Sequence, residues 1–313
     1  MTNLSEFTFL SSDGRTQLHG MLWEPEGVAV RAVLQICHGV AEHIARYDGF
    51  ARALNEQGIV VAGHDHLGHG KSLPEDGTPV YFGEGNTWNT VVDDIYILHQ
   101  RLKQRYPDVP LCIMGHSMGS FLTRTYLIRY PGTVKAAVIM GTGWQPRAAI
   151  TGGLALANAI AAVSGENATS ELVTELAFGS YNKLFAPNRT KVDWLSADES
   201  NVDDYIADPL CGADATVGLF RQMLHGIRFN QRQSHLRQMD REMPVLFVAG
   251  DKDPVGSCGK GVRQTYDAFR AAGMRDCTLK LYPGLRHEIL NEKAYTADIT
   301  KNIEAWLLSR LEK

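Results

Sequence analysis

Six short apolar runs separated by helical segments constrain the fold of this 313-residue chain more than any other feature. Each run is rich in Val, Ile and Leu with little alternation, a pattern typical of parallel strands that are covered on both faces. The runs are residues 32–37, 59–64, 111–114, 136–141, 245–250 and 278–282. Between two of them, over residues 91–102, apolar side chains recur at helical spacing. This strand–helix alternation predicts a doubly wound, mostly parallel sheet.

The alternation is absent from two parts of the chain. Near the N-terminus, residues 7–10 and 18–23 alternate apolar and polar side chains around the turn sequence SSDGRT, which predicts an antiparallel hairpin. Between residues 144 and 243 the sequence has helical patterns but no convincing strand. We therefore predict a core of residues 1–143 and 244–313, with residues 144–243 inserted as a mostly helical cap.

The sequence GHSMG places Ser117 between two glycines, directly after an apolar strand and directly before a predicted amphipathic helix. Small residues two positions either side of the serine let the backbone fold back without a Cβ clash. Such a turn exposes the serine Oγ at the carboxyl edge of the sheet, where ligands bind in open α/β folds. It also aims the partial positive charge of a helix N-terminus at the same point. We interpret Ser117 as a nucleophile.

A serine nucleophile needs a base and a group that orients the base. His287 lies in the loop after the last predicted strand, and we expect it to take the serine proton and return it to the leaving group. Two carboxylates, Asp251 and Asp253, follow the preceding strand. Asp251 directly abuts that strand and is suited to bonding loop amides, whereas Asp253 lies further out and precedes Pro254, which stiffens the loop. We predict Asp253 as the orienting acid.

The oxyanion of an acyl-transfer reaction is stabilised by backbone N–H groups. Met118, which follows the nucleophile, is predicted to supply one of them. The other is expected from the loop after an early strand, where the sequence QICHGVAEH places Val40. We interpret His38 of the same loop as a structural hydrogen-bonding residue and not as a second base.

Five stretches, taken in order, resemble the monoglyceride lipase/lysophospholipase branch of the α/β-hydrolase family. They are HGVAEHIARYDGFARAL, GHDHLGHGKS, GHSMGS, AGDKDPVG and RHEILNE. The resemblance covers about residues 15–145 and 240–310 and is weakest in the cap. It implies the α/β-hydrolase fold, with a mostly parallel doubly wound sheet, an N-terminal antiparallel hairpin and an inserted helical cap.

The resemblance also implies roles for particular residues. It agrees with the triad and the oxyanion amides derived above, at Ser117, Asp253, His287, Val40 and Met118. In relatives that cleave monoacylglycerols, the positions of Glu42 and Arg46 lie near the polar head of the substrate. The resemblance therefore implies that Glu42 and Arg46 bind substrate.

Composition and two incomplete motifs limit the partners and cofactors that this chain is expected to bind. The net charge of −4 is spread along the chain without basic runs, so a nucleic-acid partner is not expected. HDHLGH (64–69) resembles a zinc-binding run but lacks its aspartate, and HGKS (69–72) lacks the first glycine of a phosphate-binding loop. We therefore expect neither a metal nor a cofactor. Five cysteines without a CxxC pair fit reduced thiols, and the predicted location is the cytoplasm.

The N-terminus has no basic region followed by an apolar stretch, so a signal peptide is not expected. The most apolar stretch, residues 152–165, is shorter than the roughly 18 residues that span a bilayer. Two interpretations of this stretch are open. We favour a buried, Ala-rich helix over a helix that lines an apolar entrance for substrate.

These observations predict a serine hydrolase that cleaves carboxylic esters of lipids, of monoacylglycerol or lysophospholipid type, through an acyl-enzyme. Its partner would be a small-molecule lipid ester, with transient contact between the cap and a membrane surface. An aminopeptidase or an acyltransferase on the same fold is the alternative enzyme, and a non-catalytic ligand receptor is the alternative from another class. An aminopeptidase would need acidic cap groups to hold an α-ammonium, for which Glu166, Glu171 and Glu175 are the candidates.

Overall fold

Eight strands form one sheet in the computed structural model, which describes residues 1–311 apart from the side chains of residues 176 and 177. The strands are β1 (Thr2–Leu10), β2 (Gln17–Pro25), β3 (Ala32–Cys37), β4 (Ile59–His64), β5 (Leu111–His116), β6 (Ala136–Met140), β7 (Val245–Gly250) and β8 (Cys277–Tyr282). Their spatial order is β1-β2-β4-β3-β5-β6-β7-β8. β1 is antiparallel to β2 and β2 to β4, whereas all other neighbours are parallel. The predicted α/β-hydrolase sheet with its N-terminal hairpin is confirmed.

Helices cover both faces of this sheet. They are α1 (Asp48–Asn55), α2 (Thr87–Arg105), α3 (Met118–Arg129), α4 (Arg147–Ser164), α5 (Glu171–Thr174), α6 (Ser180–Lys183), α7 (Glu199–Ala207), α8 (Val217–Asn230), α9 (Gln233–Leu236), α10 (Lys260–Ala271) and α11 (Thr296–Leu311). Short 3₁₀ segments lie at Ile44–Tyr47, Gly70–Ser72, Asp193–Leu195 and Ile289–Asn291. α1 and α11 pack on one face, and α2, α3 and α10 pack on the other.

Burial explains the apolar runs of the sequence. Every residue of β3, β4, β5, β6 and β7 is buried, because helices lie against both faces of these strands. Successive side chains of β5 enter opposite layers, with Ile113 in the core beneath α2 and α3, and Met114 in the core beneath α1 and α11. β8 lies at the edge, and of its six residues Tyr282 alone is buried.

The helix after Ser117 differs from its prediction. An amphipathic α3 was expected, but all residues from 118 to 128 are buried. The sheet lies under α3, while α2 and the cap helix α8 pack on its remaining surface. The burial includes the side chain of Arg124, so the polar residues of α3 do not mark a solvent face.

The segment between β6 and β7 contains α4 to α9 and, within its described residues, no strand beyond an isolated bridge between Thr169 and Thr216. α5 is followed directly by one π-helical turn over Glu175–Gly179. α8 connects cap and core because it packs against both α3 and α4. Residues 312 and 313, the end of the predicted core, lie outside the described residues.

α4 corrects two expectations about the apolar stretch. The helix begins at Arg147, before that stretch, and its 18 residues with a mean hydropathy of 1.3 are long and apolar enough to cross a membrane. The favoured prediction of a buried helix is wrong, because only 17% of those residues are buried. The buried residues are Ile150, Leu154 and Ala157, and they lie on the side that packs against α8.

Candidate active site

Ser117 occupies a strained backbone position at the turn between β5 and α3. Its φ of 54° and ψ of −122° lie in a region that non-glycine residues rarely adopt. The Ser117 N–H donates to the carbonyl of Met140 at the end of β6, at 3.0 Å, which fixes the turn against the neighbouring strand. This turn, which we call the elbow, therefore holds the serine at the carboxyl edge of the sheet.

The two glycines of the motif are required by close approach. A Cβ on Gly115 would lie 2.2 Å from the Gly119 carbonyl oxygen, and a Cβ on Gly119 would lie 2.0 Å from the Cys37 carbonyl oxygen. Neither distance is compatible with a side chain. The glycines thus let α3 approach β3 and β5 closely enough to form the turn.

The aspartate that contacts the histidine is Asp253. His287 Nδ1 lies 3.0 Å from Asp253 Oδ1, and this oxygen also accepts from the Val255 N–H at 2.9 Å. Both side chains are almost fully buried, with exposures of 2% for His287 and 0% for Asp253. Asp251 instead accepts from the Gly284 N–H at 2.8 Å, the loop-amide role that its position suggested.

Ser117 and His287 line the same cavity, but no hydrogen bond joins their side chains. Catalytic hydrogen bonds are often long in ligand-free sites and shorten when substrate binds. His287 is held from two sides: the ring of Trp194 from the cap lies 5.1 Å away, and the ring of His116 lies 4.7 Å away. These two rings and Asp253 fix the position of the His287 imidazole.

The loop after β3 passes directly over the elbow. A Cβ on Gly39 would lie 3.1 Å from the Cβ of Ser117. His38 Nδ1 donates to the Gly39 carbonyl at 2.7 Å, and His38 Nε2 accepts from the His66 N–H at 3.0 Å. These bonds require a neutral His38, in agreement with burial, which lowers its pKa. His38 therefore acts as a structural residue that orients this loop.

The predicted oxyanion amides lie beside Ser117. Val40 and Met118 both line a cavity with Ser117, and within residues 1–311 neither amide donates to a loop carbonyl. The next residue, Ala41, has a φ of 53°. Its carbonyl accepts from Tyr205 Oη and from the Gly212 N–H, both at 3.0 Å. The cap thus holds the left-handed turn that presents Val40.

Glu42 is the centre of a buried polar network. Its Oε1 accepts from the Gly39 N–H and lies 3.2 Å from His116 Nδ1. Its Oε2 pairs with Arg46 at 2.8 Å, and Arg46 is also held by Glu288 at 2.7 Å. Glu42 lines the cavity that contains Ser117 and also an adjoining cavity of about 250 Å³, which Arg46 lines as well. Arg46 does not line either cavity that contains Ser117, so it lies behind Glu42.

His116 links this network to His287. Nδ1 of His116 faces the Glu42 carboxylate, and Nε2 lies 3.3 Å from the His287 carbonyl oxygen. Both partners are acceptors, so the ring is best satisfied when both nitrogens are protonated. Burial, the largest single effect, lowers the pKa of His116, but the bond to Glu42, the charges of Glu42 and Glu288 and the His287 carbonyl together outweigh it, so the net pKa is raised. Burial likewise raises the pKa of Glu42, and its partners bring it well below the ordinary value.

His116 and Glu288 belong to the site but were not predicted from the sequence. Each is the chain neighbour of a predicted catalytic residue, since His116 precedes Ser117 and Glu288 follows His287. Their positions next to predicted catalytic residues are the sequence feature from which they could have been predicted. Trp194 of the cap carried no such signal, because nothing in its local sequence relates it to the core.

The histidines of HDHLGH lie in the core behind the loop after β3. His38 and His66 have ring centroids 4.2 Å apart, and His64 and His66 have theirs 5.1 Å apart. Burial lowers the pKa of His64 and of His69 to about 3, so these rings are neutral. They pack as neutral aromatic side chains.

Two cavities lined by different types of residue meet at Ser117. The narrower, of about 450 Å³, is lined mainly by apolar side chains, among them Met118, Phe121, Ile150, Phe220, Met223 and Leu224. The wider, of about 870 Å³, has many polar side chains, among them Glu42, Thr169, Asn182, Lys183, Asp214 and Glu288. Val40, Ser117, Phe178 and Trp194 line both. A molecule bound at Ser117 can therefore place an apolar part and a polar part in different surroundings.

A serine presented at a strained strand-to-helix turn, beneath a helical insertion, is what the α/β-hydrolase fold provides, and this chain has that fold. A crystal structure of a highly thermostable carboxyl esterase from Bacillus coagulans, in complex with glycerol, matches it with a TM-score of 0.92 and 26% identity over 99% of this chain and 100% of that chain. A family model described as "Serine aminopeptidase, S33" matches residues 28–294, and the chain belongs to this family.

Two curated relatives that span nearly the whole chain are lipases. A monoacylglycerol lipase of Mycolicibacterium smegmatis is 30% identical over 98% of this chain and 98% of that protein. A monoglyceride lipase of Mus musculus is 27% identical over 96% of this chain and 90% of that protein. The resemblance of the sequence to the monoglyceride lipase branch is confirmed.

Changing Glu42 to glutamine tests whether this residue positions the loop or binds substrate. Glutamine keeps an oxygen for the Gly39 N–H but removes the charge that Arg46 and His116 face. We expect kcat for ester hydrolysis to fall roughly tenfold with little change in KM, because a displaced oxyanion donor weakens transition-state binding. Steady-state kinetics below the melting temperature of the variant measures this.

The matched control for this variant is Glu75→Gln, which changes an exposed glutamate and should leave both constants unaltered. A raised KM with unchanged kcat in Glu42→Gln would contradict the positioning role and favour the direct substrate contact that the resemblance implies.

Proposed function

We propose that this chain is a serine hydrolase that cleaves monoacylglycerol-type lipid esters. The observation that carries the proposal is the meeting at Ser117 of a cavity lined mainly by apolar side chains and a wider cavity that also offers charged and amide side chains. An acyl chain fits the first cavity, and a glycerol-like head group can find hydrogen-bond partners in the wider one. The ester carbonyl between them would then lie at the serine. The lipase relatives and the esterase fold match support the same reaction class.

The proposed reaction begins with the attack of Ser117 Oγ on the ester carbonyl carbon. His287 Nε2 takes the Oγ proton, while Asp253, bonded to Nδ1, holds the required tautomer and stabilises the imidazolium. The carbonyl oxygen becomes negative and is stabilised by the N–H groups of Val40 and Met118. These steps assign one role to each residue of the predicted triad and oxyanion hole.

Collapse of the tetrahedral intermediate releases the alcohol, which receives its proton from His287, and leaves the acyl group on Ser117. A water molecule deprotonated by His287 then attacks the acyl-enzyme and releases the fatty acid. The Trp194 ring against His287 limits access of bulk water from the cap side. No step in this sequence uses a metal or a cofactor.

An aminopeptidase activity, the first alternative, would need a carboxylate free to bind an α-ammonium near Ser117. The buried carboxylates of the wider cavity, Glu42 and Glu288, share Arg46. Of the cap glutamates, Glu166 pairs with Arg221 and Glu175 with Lys183. Glu171 and Asp214 also line the wider cavity but are exposed, so water screens their charges. The pairing of the other four carboxylates favours an ester with an uncharged head group over a peptide N-terminus.

We also propose that α4 contacts a lipid surface from which substrate is taken. The helix is apolar along its length, largely exposed and carries Ile150 at the apolar cavity. Val163 near its end has an exposed fraction of 88%. Contact between this face and a lipid aggregate would bring the acyl chain to the cavity mouth.

The proposed function is tested with a panel of monoacylglycerols of graded chain length, the matching lysophospholipids, p-nitrophenyl esters and amino-acid p-nitroanilides. Release of product is measured for each under identical conditions. We expect monoacylglycerols to give the highest kcat/KM and the anilides to give none. Higher kcat/KM for the anilides than for every ester would overturn the proposal in favour of the aminopeptidase.

The apolar cavity is expected to set chain-length preference through Met223. Each buried methylene contributes about 0.8 kcal/mol, so losing two or three of them changes kcat/KM roughly ten- to a hundredfold. Met223→Asp should therefore cut activity on octanoyl and decanoyl esters by that factor and reduce acetyl ester hydrolysis far less.

Met223→Leu, which keeps the lining apolar, serves as the matched control and should retain the wild-type ratio of long- to short-chain activity. Melting curves establish that both variants are folded at the assay temperature. If the folded Met223→Asp variant loses activity on the long-chain esters and on the acetyl ester by the same factor, the narrower cavity does not bind the acyl chain.

A further inference from the structure

Three side chains that can bind metals meet where the cap touches the loop after β3. His43 Nε2 lies 2.8 Å from Asp208 Oδ2, and one ligand atom from each of His43, Asp208 and Cys211 lies within 4.8 Å of the others. His43 belongs to the core, whereas Asp208 and Cys211 follow α7 in the cap. None of the three has a part in the ester hydrolysis proposed above.

The two segments that carry these groups are held together independently of them. The Ala41 carbonyl accepts from Tyr205 Oη and from the Gly212 N–H, one bond on either side of the cap pair in sequence. Asp208 Oδ1 accepts from the Leu210 N–H at 2.9 Å, which leaves Oδ2 directed at His43. The three donors are therefore positioned before any ion arrives.

We propose that His43, Asp208 and Cys211 form a binding site for a zinc ion, with a water molecule as the fourth ligand. One imidazole, one thiolate and one carboxylate are the donor types that Zn²⁺ takes in tetrahedral sites. With bonds of about 2.0 to 2.3 Å, ligand atoms in such a site lie about 3.3 to 3.8 Å apart. To bind zinc, the group must contract by about 1 Å at its widest pair, and the hydrogen-bonded pair of His43 and Asp208 must move apart by about 0.5 Å; both changes are within side-chain movement.

The surroundings of the group permit an ion to enter. The Asp208 side chain is 29% exposed and the His43 side chain is 10% exposed, so the group opens to solvent on the aspartate side. The charge of Arg46 acts on both Asp208 and Cys211, but Arg46 is already paired with two carboxylates, Glu42 and Glu288. A divalent ion would therefore meet the charge of Asp208 beside a cation whose own charge is compensated.

Zinc binding here would release the thiol proton. Burial raises the pKa of the Cys211 thiol, so the sulfur carries a proton before the ion binds. That proton passes to solvent as the sulfur bonds the ion, whereas neutral His43 changes tautomer, its proton moving from Nε2 to Nδ1 so that Nε2 can bind the ion. Because binding occurs only in the folded chain, the ion should raise the melting temperature by joining the cap to the loop that carries Val40.

Cobalt(II) is the spectroscopic probe for this site, because its bond to a thiolate gives a charge-transfer band in the near ultraviolet. The purified chain, stripped with a chelator, is titrated with cobalt(II) and then with zinc(II). We expect the band to appear with one equivalent of cobalt and to disappear when zinc displaces it. The melting temperature should rise with zinc. No ester is present, so the outcome is independent of the proposed hydrolysis.

Two variants and a control decide the assignment. Cys211→Ser should abolish the band, and Asp208→Asn should weaken cobalt binding at least tenfold. Cys258→Ser changes an exposed cysteine elsewhere and should retain the wild-type band and the zinc-dependent rise in melting temperature. No thiolate band in the wild-type chain, or a band unchanged in Cys211→Ser or in Asp208→Asn, would overturn the proposal. The Asp208→Asn result decides the assignment if Cys211→Ser does not fold.

Discussion

Replacing Ser117 with alanine is expected to lower kcat/KM for ester hydrolysis by a factor of about 10⁴ or more. Ser117 lines both cavities, and its position on the elbow gives its hydroxyl access to each of them. Without that oxygen no acyl-enzyme forms, and the oxyanion amides alone leave a small residual rate. Initial rates on a monoacylglycerol and labelling by a fluorophosphonate probe measure the two consequences. The variant should be unlabelled.

Ser309→Ala, which removes an exposed hydroxyl on α11, is the matched control and should keep wild-type activity and labelling. The strain at Ser117 arises from the backbone, which alanine shares, so the variant should fold like the wild type. Retention of a tenth of the activity in Ser117→Ala would exclude this serine as the nucleophile.

The second large effect is expected at Asp253. Asn at this position keeps the shape of the side chain, but its amide can hold His287 in the tautomer that cannot accept the serine proton. We expect kcat to fall by about 10³ to 10⁴. Asp251→Asn should cost far less, because Asp251 bonds the Gly284 amide and has no contact with His287.

The pair of aspartate variants forms its own control, since the two residues share a loop and receive the same substitution. Both are assayed over a range of pH below their melting temperatures. Equal losses in the two variants would contradict the assignment of Asp253, and a larger loss at Asp251 would transfer the role to that residue.

Much of the fold was predictable because its central strands are buried on both faces. Burial of this kind leaves uninterrupted Val, Ile and Leu runs, and these runs gave β3 to β7 nearly to the residue. The burial of α3 was not predictable in the same way. Its polar residues are buried by contacts that depend on the tertiary structure: Thr123 lies beside Cys37 of β3, and Arg124 donates to Thr142 and Gly143 after β6.

The site was predictable where chemistry follows chain order. Ser117, Asp253 and His287 each follow a strand, and parallel strands bring such loops to one edge. The relation of Trp194 to His287 was not predictable, because it depends on how the cap folds back on the core. The same holds for α4: its composition resembles that of a core helix, and only the packing on α8 decides which side is exposed.

The bonds from Tyr205 and Gly212 to the Ala41 carbonyl bear on attempts to re-engineer substrate range. An obvious route is to exchange the insertion for that of another hydrolase as a self-contained module. In this chain the insertion is not self-contained, since it supplies the donors that fix the left-handed turn beside Val40. A chimaera that omits the hydroxyl of Tyr205 or the backbone of Gly212 would gain a new pocket and lose rate on every ester alike. Transplanted segments should therefore begin after position 212 or carry both donors with them.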